Sequence, residues 1–237
     1  MQRVWIVTGA SRGIGEAIAA KAAAGGDAVA CVARSPSGRP WAAGARVLEL
    51  AEDLTAEHAG ERVVAAALEA FGRIDVVVNN AGLHRGGRIE TLLDEDFERV
   101  LATNLRAPLR LCRAAAPHLR AGGAIVNIGA VVGLRGFPGD SAYGSSKAGV
   151  AGLTRVLAIE LARRGVTVNC VIPGFTETEM TAAVDERARK RLRERIPLGR
   201  PCTPEEVADV VHWVAGSPSM TGALIPVDGG LMAALGS

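Results

Sequence analysis

Nearly from end to end, short and largely apolar runs alternate with longer stretches in which apolar residues recur at helical spacing. The runs Val4 to Val7, Ala28 to Val32, Arg46 to Leu50, Ile74 to Val78, Ala124 to Ile128, Val166 to Val171 and Leu224 to Val227 predict β-strands. Between them, Gly13 to Ala24, Ala56 to Phe71, Asp94 to Leu119, Ser141 to Arg163 and Pro204 to Ala215 predict helices. A strand that is apolar at successive positions is buried on both faces, and strands that alternate with helices run parallel. The pattern therefore predicts an α/β fold: a doubly wound parallel sheet of about seven strands with helices on both faces.

No stretch is long or polar enough to divide the 237 residues, so residues 1–237 are expected to form one domain. Residues 34–44, with Pro36, Gly38 and Pro40, predict a loop after the second strand. Residues 176–198 are polar and basic and fall between a strand and a helix late in the chain. In a doubly wound fold a segment there is placed to serve as a lid over the ligand crevice.

Composition narrows the class of function. A hydrophobic share of 49% and a charged share of 22% describe a soluble globular protein, and a net charge of +2 gives no bulk attraction to nucleic acid or membrane. No apolar run approaches a membrane span, and the first strand runs straight into Thr8-Gly9, unlike a signal peptide. Cys31, Cys112, Cys170 and Cys202 are widely spaced, with no C-x-x-C and no histidine at ligand spacing. Neither a metal site nor a disulfide framework is expected, and a reducing cytoplasmic location fits. Lys21, Lys147 and Lys190 are the only lysines among 27 basic residues, a bias that reads as coding composition rather than as a nucleic-acid footprint.

Three local patterns carry chemistry. Thr8-Gly9-Ala10-Ser11-Arg12-Gly13-Ile14-Gly15 joins the first strand to the first helix. Gly9 permits a tight turn, Gly13 lets backbone approach a pyrophosphate, Gly15 allows close packing, and the helix N-terminus supplies unpaired N–H groups. Asn79-Asn80-Ala81-Gly82 ends the fourth strand, at the carboxyl edge where such sheets bind ligands, and is read as a wall of the cofactor groove. A strand-ending turn is the structural alternative there. Tyr143, the only tyrosine, stands four residues before Lys147, so on a helix both share a face and an ammonium beside the phenol would favour its ionised form. Asp53, after the third strand, is placed either to accept from an adenine amino group or to cap the following helix.

These motifs, in this order, resemble the short-chain dehydrogenase/reductase family, a single-domain Rossmann fold. The resemblance spans Thr8 to Gly230 and includes T-G-x-x-x-G-I-G, Asp53, N-N-A-G, Asn104, Y-x-x-x-K, Pro173-Gly174 and Val227-Asp228-Gly229-Gly230. Asn127 to Gly133 and Pro173 to Met180 are most similar to the 3-oxoacyl-[acyl-carrier-protein] reductases and related polyketide ketoreductases. The resemblance implies that Tyr143 is the general acid, that Lys147 lowers its pKa and binds the nicotinamide ribose, and that Asn104 helps hold a water in a proton relay. It implies a cofactor site at Gly9, Ser11, Arg12, Gly13, Ile14, Gly15, Arg34, Asp53, Leu54, Asn80, Ala81, Gly82, Tyr143, Lys147, Pro173, Gly174 and Thr178, the last fixing the carboxamide.

At Ala130, thirteen residues before Tyr143, the family has a serine whose hydroxyl orients the reacting carbonyl. Alanine has no donor, and loss of one such donor typically costs about 10²–10³ in turnover. Ser141, two residues before Tyr143, points away from its face of a helix. An engineered loss, a natural enzyme with another donor and a natural non-catalytic relative all remain open; an impaired reductase is expected.

The second strand ends Val32-Ala33-Arg34 with no acid for a ribose 2′-hydroxyl, and Arg12 sits in the glycine turn, which together favour NADPH over NADH. Arg187, Arg189, Lys190, Arg191, Arg193 and Arg195 in the lid, with Arg164 after the helix bearing Tyr143, suggest a basic rim for an acidic acyl carrier protein. A solvated charged helix is the alternative. Met180, Val184, Leu192 and Ile196 are candidates for an acyl pocket. The expected activity is NADPH-dependent reduction of a 3-oxoacyl thioester. The alternatives are a cofactor-binding partner subunit and a generic carbonyl reductase. A homotetramer or homodimer is expected, with the apolar Leu231 to Leu235 as a candidate interface.

Overall fold

The structure is a computed structural model that describes residues 2–182 and 185–234. Seven strands form one all-parallel sheet: β1 (Val4–Thr8), β2 (Ala28–Ala33), β3 (Val47–Ala51), β4 (Ile74–Asn79), β5 (Leu119–Ile128), β6 (Thr167–Pro173) and β7 (Leu224–Val227), in the order β3-β2-β1-β4-β5-β6-β7. Helices alternate with them: α1 (Gly13–Ala24), α2 (Ala59–Phe71), α3 (Asp94–Leu101), α4 (Ala107–Ala115), α5 (Ser141–Ala162), α6 (Glu179–Ala182), α7 (Glu186–Arg195) and α8 (Pro204–Ala215).

Every residue of β1 and β4 is buried, because side chains alternate between two covered faces. Trp5 and Val7 join Ile18 and Ala22 of α1 and Val207, Val211 and Val214 of α8 on one side of the sheet. Ile6, between them, joins Val63 and Ala67 of α2, Leu111 and Ala115 of α4 and Leu161 of α5 on the other. Strand order reverses where β4 leaves β1 on the side opposite β2, so the carboxyl ends of β1 and β4 frame a crevice.

The long helix expected from Asp94 to Leu119 is broken. After α3 the chain makes a wide π-type turn at Ala102–Arg106 before α4, then a short 3₁₀ turn at Ala116–His118, and Leu119 already belongs to β5. Pro108 explains the first break, since it has no N–H for the carbonyl of Asn104 four residues earlier. Pro117 explains the second in the same way. The helix expected from Ala56 begins at Ala59, and His58 rather than Asp53 precedes it. Asp53 instead closes a local turn, accepting from the backbone N of Thr55 at 2.9 Å and from its hydroxyl at 2.7 Å.

Near the C-terminus, Leu231 and Met232 pack on Val131, Val150, Cys170 and Ile172, in this chain's own core. Both stay partly exposed, and Leu235 lies outside the described residues. Exposed apolar side chains occur elsewhere, at Leu109 of α4 and at Val156 and Ile159 of α5. Among the described residues no helix is long and apolar enough to cross a membrane, and no cluster of His, Cys, Asp or Glu is arranged to hold a metal.

Candidate active site

The crevice begins at the glycine turn. Gly9 and Gly13 have φ of 63° and 58°, a left-handed backbone that L side chains rarely adopt. A Cβ on Gly15 would stand 2.2 Å from the Gly9 carbonyl oxygen, and one on Gly9 would stand 2.9 Å from Ala81 Cα. The first turn of α1 has no side-chain cap, so its N–H groups face the crevice, a setting that suits an anion. Thr8 fastens the turn to the N-N-A-G segment: its hydroxyl donates to Val78 O and accepts from the backbone N of Asn80 and Ala81 at 2.9 and 3.0 Å. The Asn80 amide donates to Thr8 O at 2.9 Å and Gly9 O at 3.2 Å, so this side chain bridges two walls of the crevice.

Toward the carboxyl ends of β2 and β3 the lining is Val32, Ala33, Arg34, Glu52, Asp53, Leu54 and Thr55. Hydrogen bonds from Thr55 hold the Asp53 carboxyl below its usual range, with the charge of Arg34 adding to them. Glu52 is an acid at this end that sequence reasoning missed, but Arg62 engages both its oxygens at 2.9 Å. Neither Ala33, which has no carboxylate, nor the paired Glu52 opposes a ribose phosphate there. Arg12 and Arg34 were expected to converge on that phosphate, whereas Arg12 is ion-paired with Glu179 of α6 at 2.6 Å, across the mouth of the crevice. Arg34 remains exposed.

At the other end lie Ala130, Tyr143, Lys147, Pro173, Gly174 and Thr178. A Cβ on Gly174 would stand 2.8 Å from Asp228, which is itself fixed by the backbone N of Gly230 and Met232. Thr178 lies close to Gly13, with its methyl 3.2 Å from the position of a Cβ there. Tyr143 and Lys147 share one face of α5, with Lys147 Nζ 5.6 Å from the phenol ring centre. Lys147 is buried, donates to Ile128 O at 2.8 Å, and is pushed down to about 8 by that burial.

Burial, with a smaller contribution from Asp140, pushes the Tyr143 phenol up to about 12. The phenol is thus raised rather than lowered beside Lys147, whose ammonium bonds the Ile128 carbonyl instead. Asn104 is buried in the wide turn: its oxygen accepts from Leu83 N at 2.7 Å, and its amide donates to Leu83 O at 2.9 Å and Ser146 Oγ at 3.0 Å. Ser146 in turn donates to Tyr143 O at 2.7 Å. Both amide donors of Asn104 are thus engaged, which leaves acceptor capacity on its oxygen for a water.

The structure adds His84 and Asp140. His84 Nε2 lies 2.7 Å from Asp140 Oδ1, and its ring meets that of Tyr143 edge-on at 5.0 Å. No spacing in the sequence signals this pair, which meets only because the loop after β4 folds over the start of α5. Of the expected acyl-pocket residues, Met180 lines the crevice, Ile196 is buried against Gly229, and Val184 lies outside the described residues. Arg164 leaves the expected rim: α5 carries it roughly 30 Å from Tyr143 at 1.5 Å per residue. Its guanidinium donates to Leu119 O at 2.8 Å.

A doubly wound parallel sheet with a glycine turn at its crevice and a Tyr-Lys pair on one helix defines a nucleotide-dependent oxidoreductase scaffold. A family model described as "Enoyl-(Acyl carrier protein) reductase" matches residues 9–232, and the chain belongs to the short-chain dehydrogenase/reductase family. The 3-oxoacyl-[acyl-carrier-protein] reductase FabG of Thermotoga maritima is 38% identical over 97% of this chain and 98% of its own. Among solved structures, a short-chain dehydrogenase/reductase from Serratia marcescens is 36% identical with a TM-score of 0.92, covering 97% of this chain and 98% of that one. A short chain dehydrogenase from Burkholderia cenocepacia in complex with NADP is 36% identical with a TM-score of 0.89, covering 97% of each chain.

Proposed function

We propose that this protein uses NADPH to reduce the 3-oxo group of an acyl thioester, carried by an acyl carrier protein, to the 3-hydroxy product, at a rate lowered by Ala130. The observation that carries the reading is the shared crevice, which runs from the glycine turn to Tyr143 and Lys147. The similarity to 3-oxoacyl-[acyl-carrier-protein] reductases along almost the whole chain supports the substrate class.

The residues present fit the dinucleotide, since α1 opens on the crevice with no side-chain cap and leaves its first N–H groups for a pyrophosphate. Gly9, Ser11, Gly13, Ile14 and Gly15 would hold the pyrophosphate, Arg34 the 2′-phosphate, and Asp53 and Leu54 the adenine. Asn80, Ala81 and Gly82 would wall the middle, and Pro173, Gly174 and Thr178 would hold the carboxamide. When bound, NADPH would supply the hydride for the carbonyl carbon. Tyr143 gives its proton to the carbonyl oxygen, and a phenol held neutral by burial is suited to that role as an acid. Lys147 would hold the ribose, and its ammonium would favour the phenolate that remains. Asn104, through a water, returns the proton.

Residues 176–198 act as the lid, and the basic residues of α7 form the carrier-protein rim in place of Arg164. Exposed Leu109, Val156 and Ile159 are the surface for assembly into a homo-oligomer. Ala130 favours a second reading, a cofactor-binding subunit that does not turn over. An assay of NADPH oxidation with an acetoacetyl thioester separates the two. Slow turnover that rises in Ala130→Ser supports the reductase, and NADPH binding with no turnover in either form supports the subunit.

A further inference from the structure

A ketone oxygen that gains charge during reduction is stabilised by donors beyond the acid that protonates it. Tyr143 is one such donor, and Ala130 offers only a methyl group. Three nearby hydroxyls are committed elsewhere. Ser146 is buried and donates to Tyr143 O, while Thr176 is buried and donates to Gly174 O at 3.2 Å. The Thr181 hydroxyl is bonded to the backbone of Thr176 and Thr178. Ser141 is exposed, and two residues along a helix turn it away from the face of Tyr143.

His84 differs from all of these. Its ring stands edge-on to Tyr143 with centroids 5.0 Å apart. It is also fixed from two sides. Asn104 grips both the N–H and the carbonyl of the preceding Leu83, and Asp140, immediately before α5, holds Nε2 at 2.7 Å. Through Ser146 and Asp140 both anchors return to the helix that carries Tyr143. Such a ring keeps its position relative to the phenol without reorganisation.

We propose that His84, held by Asp140, donates a hydrogen bond to the substrate's carbonyl oxygen, the role for which Ala130 has no hydroxyl; this rests on the reductase reading above. A ring with hydrogen on both nitrogens has two N–H groups, one for Asp140 and one for the ketone oxygen. The carbonyl carbon takes a hydride from the reduced nicotinamide, the π pair moves to oxygen, and that oxygen takes the proton of Tyr143. His84 keeps both its protons throughout.

The test is a cycle of His84→Ala and Ala130→Ser, singly and together, read as kcat and KM for an acetoacetyl thioester. The Kd for NADPH and the infrared carbonyl stretch of the labelled ketone in its complex with enzyme and NADP+ are measured alongside. Expected are a roughly 10-fold loss of kcat for His84→Ala in the wild-type background, partial retention in His84→Gln, and less than about 2-fold loss in the Ala130→Ser background. The bound ketone should lose part of its red shift in His84→Ala while the NADPH Kd holds. An equal loss in both backgrounds, no loss, or an unshifted carbonyl band overturns the proposal. So does an inactive wild type beside an active Ala130→Ser. NADPH binding with both forms inactive overturns instead the reductase reading on which the proposal rests.

Discussion

Lys147 Nζ donates to the carbonyl oxygen of Ile128, two residues before Ala130, at 2.8 Å. One hydrogen bond thus ties the end of β5 to the helix that carries Tyr143, and it puts an ammonium where water is scarce. Burial lowers the group from 10.5 to about 8. Below pH 8 both folded and unfolded chains carry the proton, and the folded state bears the full cost of burying it. Between pH 8 and 10.5 the unfolded chain binds more protons, so stability rises with pH.

Lys147→Met should therefore raise stability at pH 7 by about 2 kcal/mol, the cost of burying the ammonium less one lost hydrogen bond. Urea midpoints at pH 7 and pH 10 measure it, and the gain should shrink at the higher pH while turnover is lost at both. Destabilisation of equal size at the two pH values would show that the ammonium is not the source of the cost. Tyr143, raised to about 12, acts oppositely: stability falls as pH climbs from 10 toward 12, and Tyr143→Phe should remove that fall.

Ala130→Ser should increase kcat for a 3-oxoacyl thioester by about 10²-fold, roughly 3 kcal/mol of transition-state stabilisation, with the NADPH Kd unchanged. Tyr143→Phe in that background should lower kcat by about 10²–10⁴, since the acid is then missing. Steady-state kinetics with both variants decide it, and a serine form no faster than wild type places the limit elsewhere.

Cofactor choice depends on the end of β2. Ala33→Asp should weaken NADPH and favour NADH by about 10-fold or more, because a carboxylate repels the 2′-phosphate. Glu179→Gln should tighten NADPH a few-fold by releasing Arg12, within the ~1 kcal/mol expected of an exposed ion pair. Fluorescence titration of each variant with both nucleotides reads these changes, and an unaltered preference in Ala33→Asp would remove the assignment.

For the carrier protein, reversing Lys190 and Arg191 together should raise KM several-fold for a carrier-bound substrate and leave a small thioester mimic unaffected, with the difference fading at high salt. Arg164→Glu should instead lower the unfolding midpoint, because its guanidinium bonds Leu119 O. A selective KM effect at Arg164 and none on α7 would reverse this assignment of the rim.

The sequence by itself determined the architecture and the chemistry-bearing segments. Short continuous apolar runs between helical segments point to strands buried on both faces, and the three glycines of the turn mark places where a side chain has no room. The Tyr-Lys spacing fixes a shared helix face by local geometry alone. Tertiary structure decided what depends on residues far apart in the chain. Pro108 and the bonds of Asn104 to Leu83 and Ser146 broke a segment whose periodicity reads as one helix. Burial reversed the direction of the Tyr143 shift, which no i,i+4 rule conveys. Glu179 claimed Arg12, and the length of α5 carried Arg164 away from the crevice. Folding alone set His84 against Asp140, because a hydrogen bond between residues 56 positions apart leaves no periodic trace in the sequence.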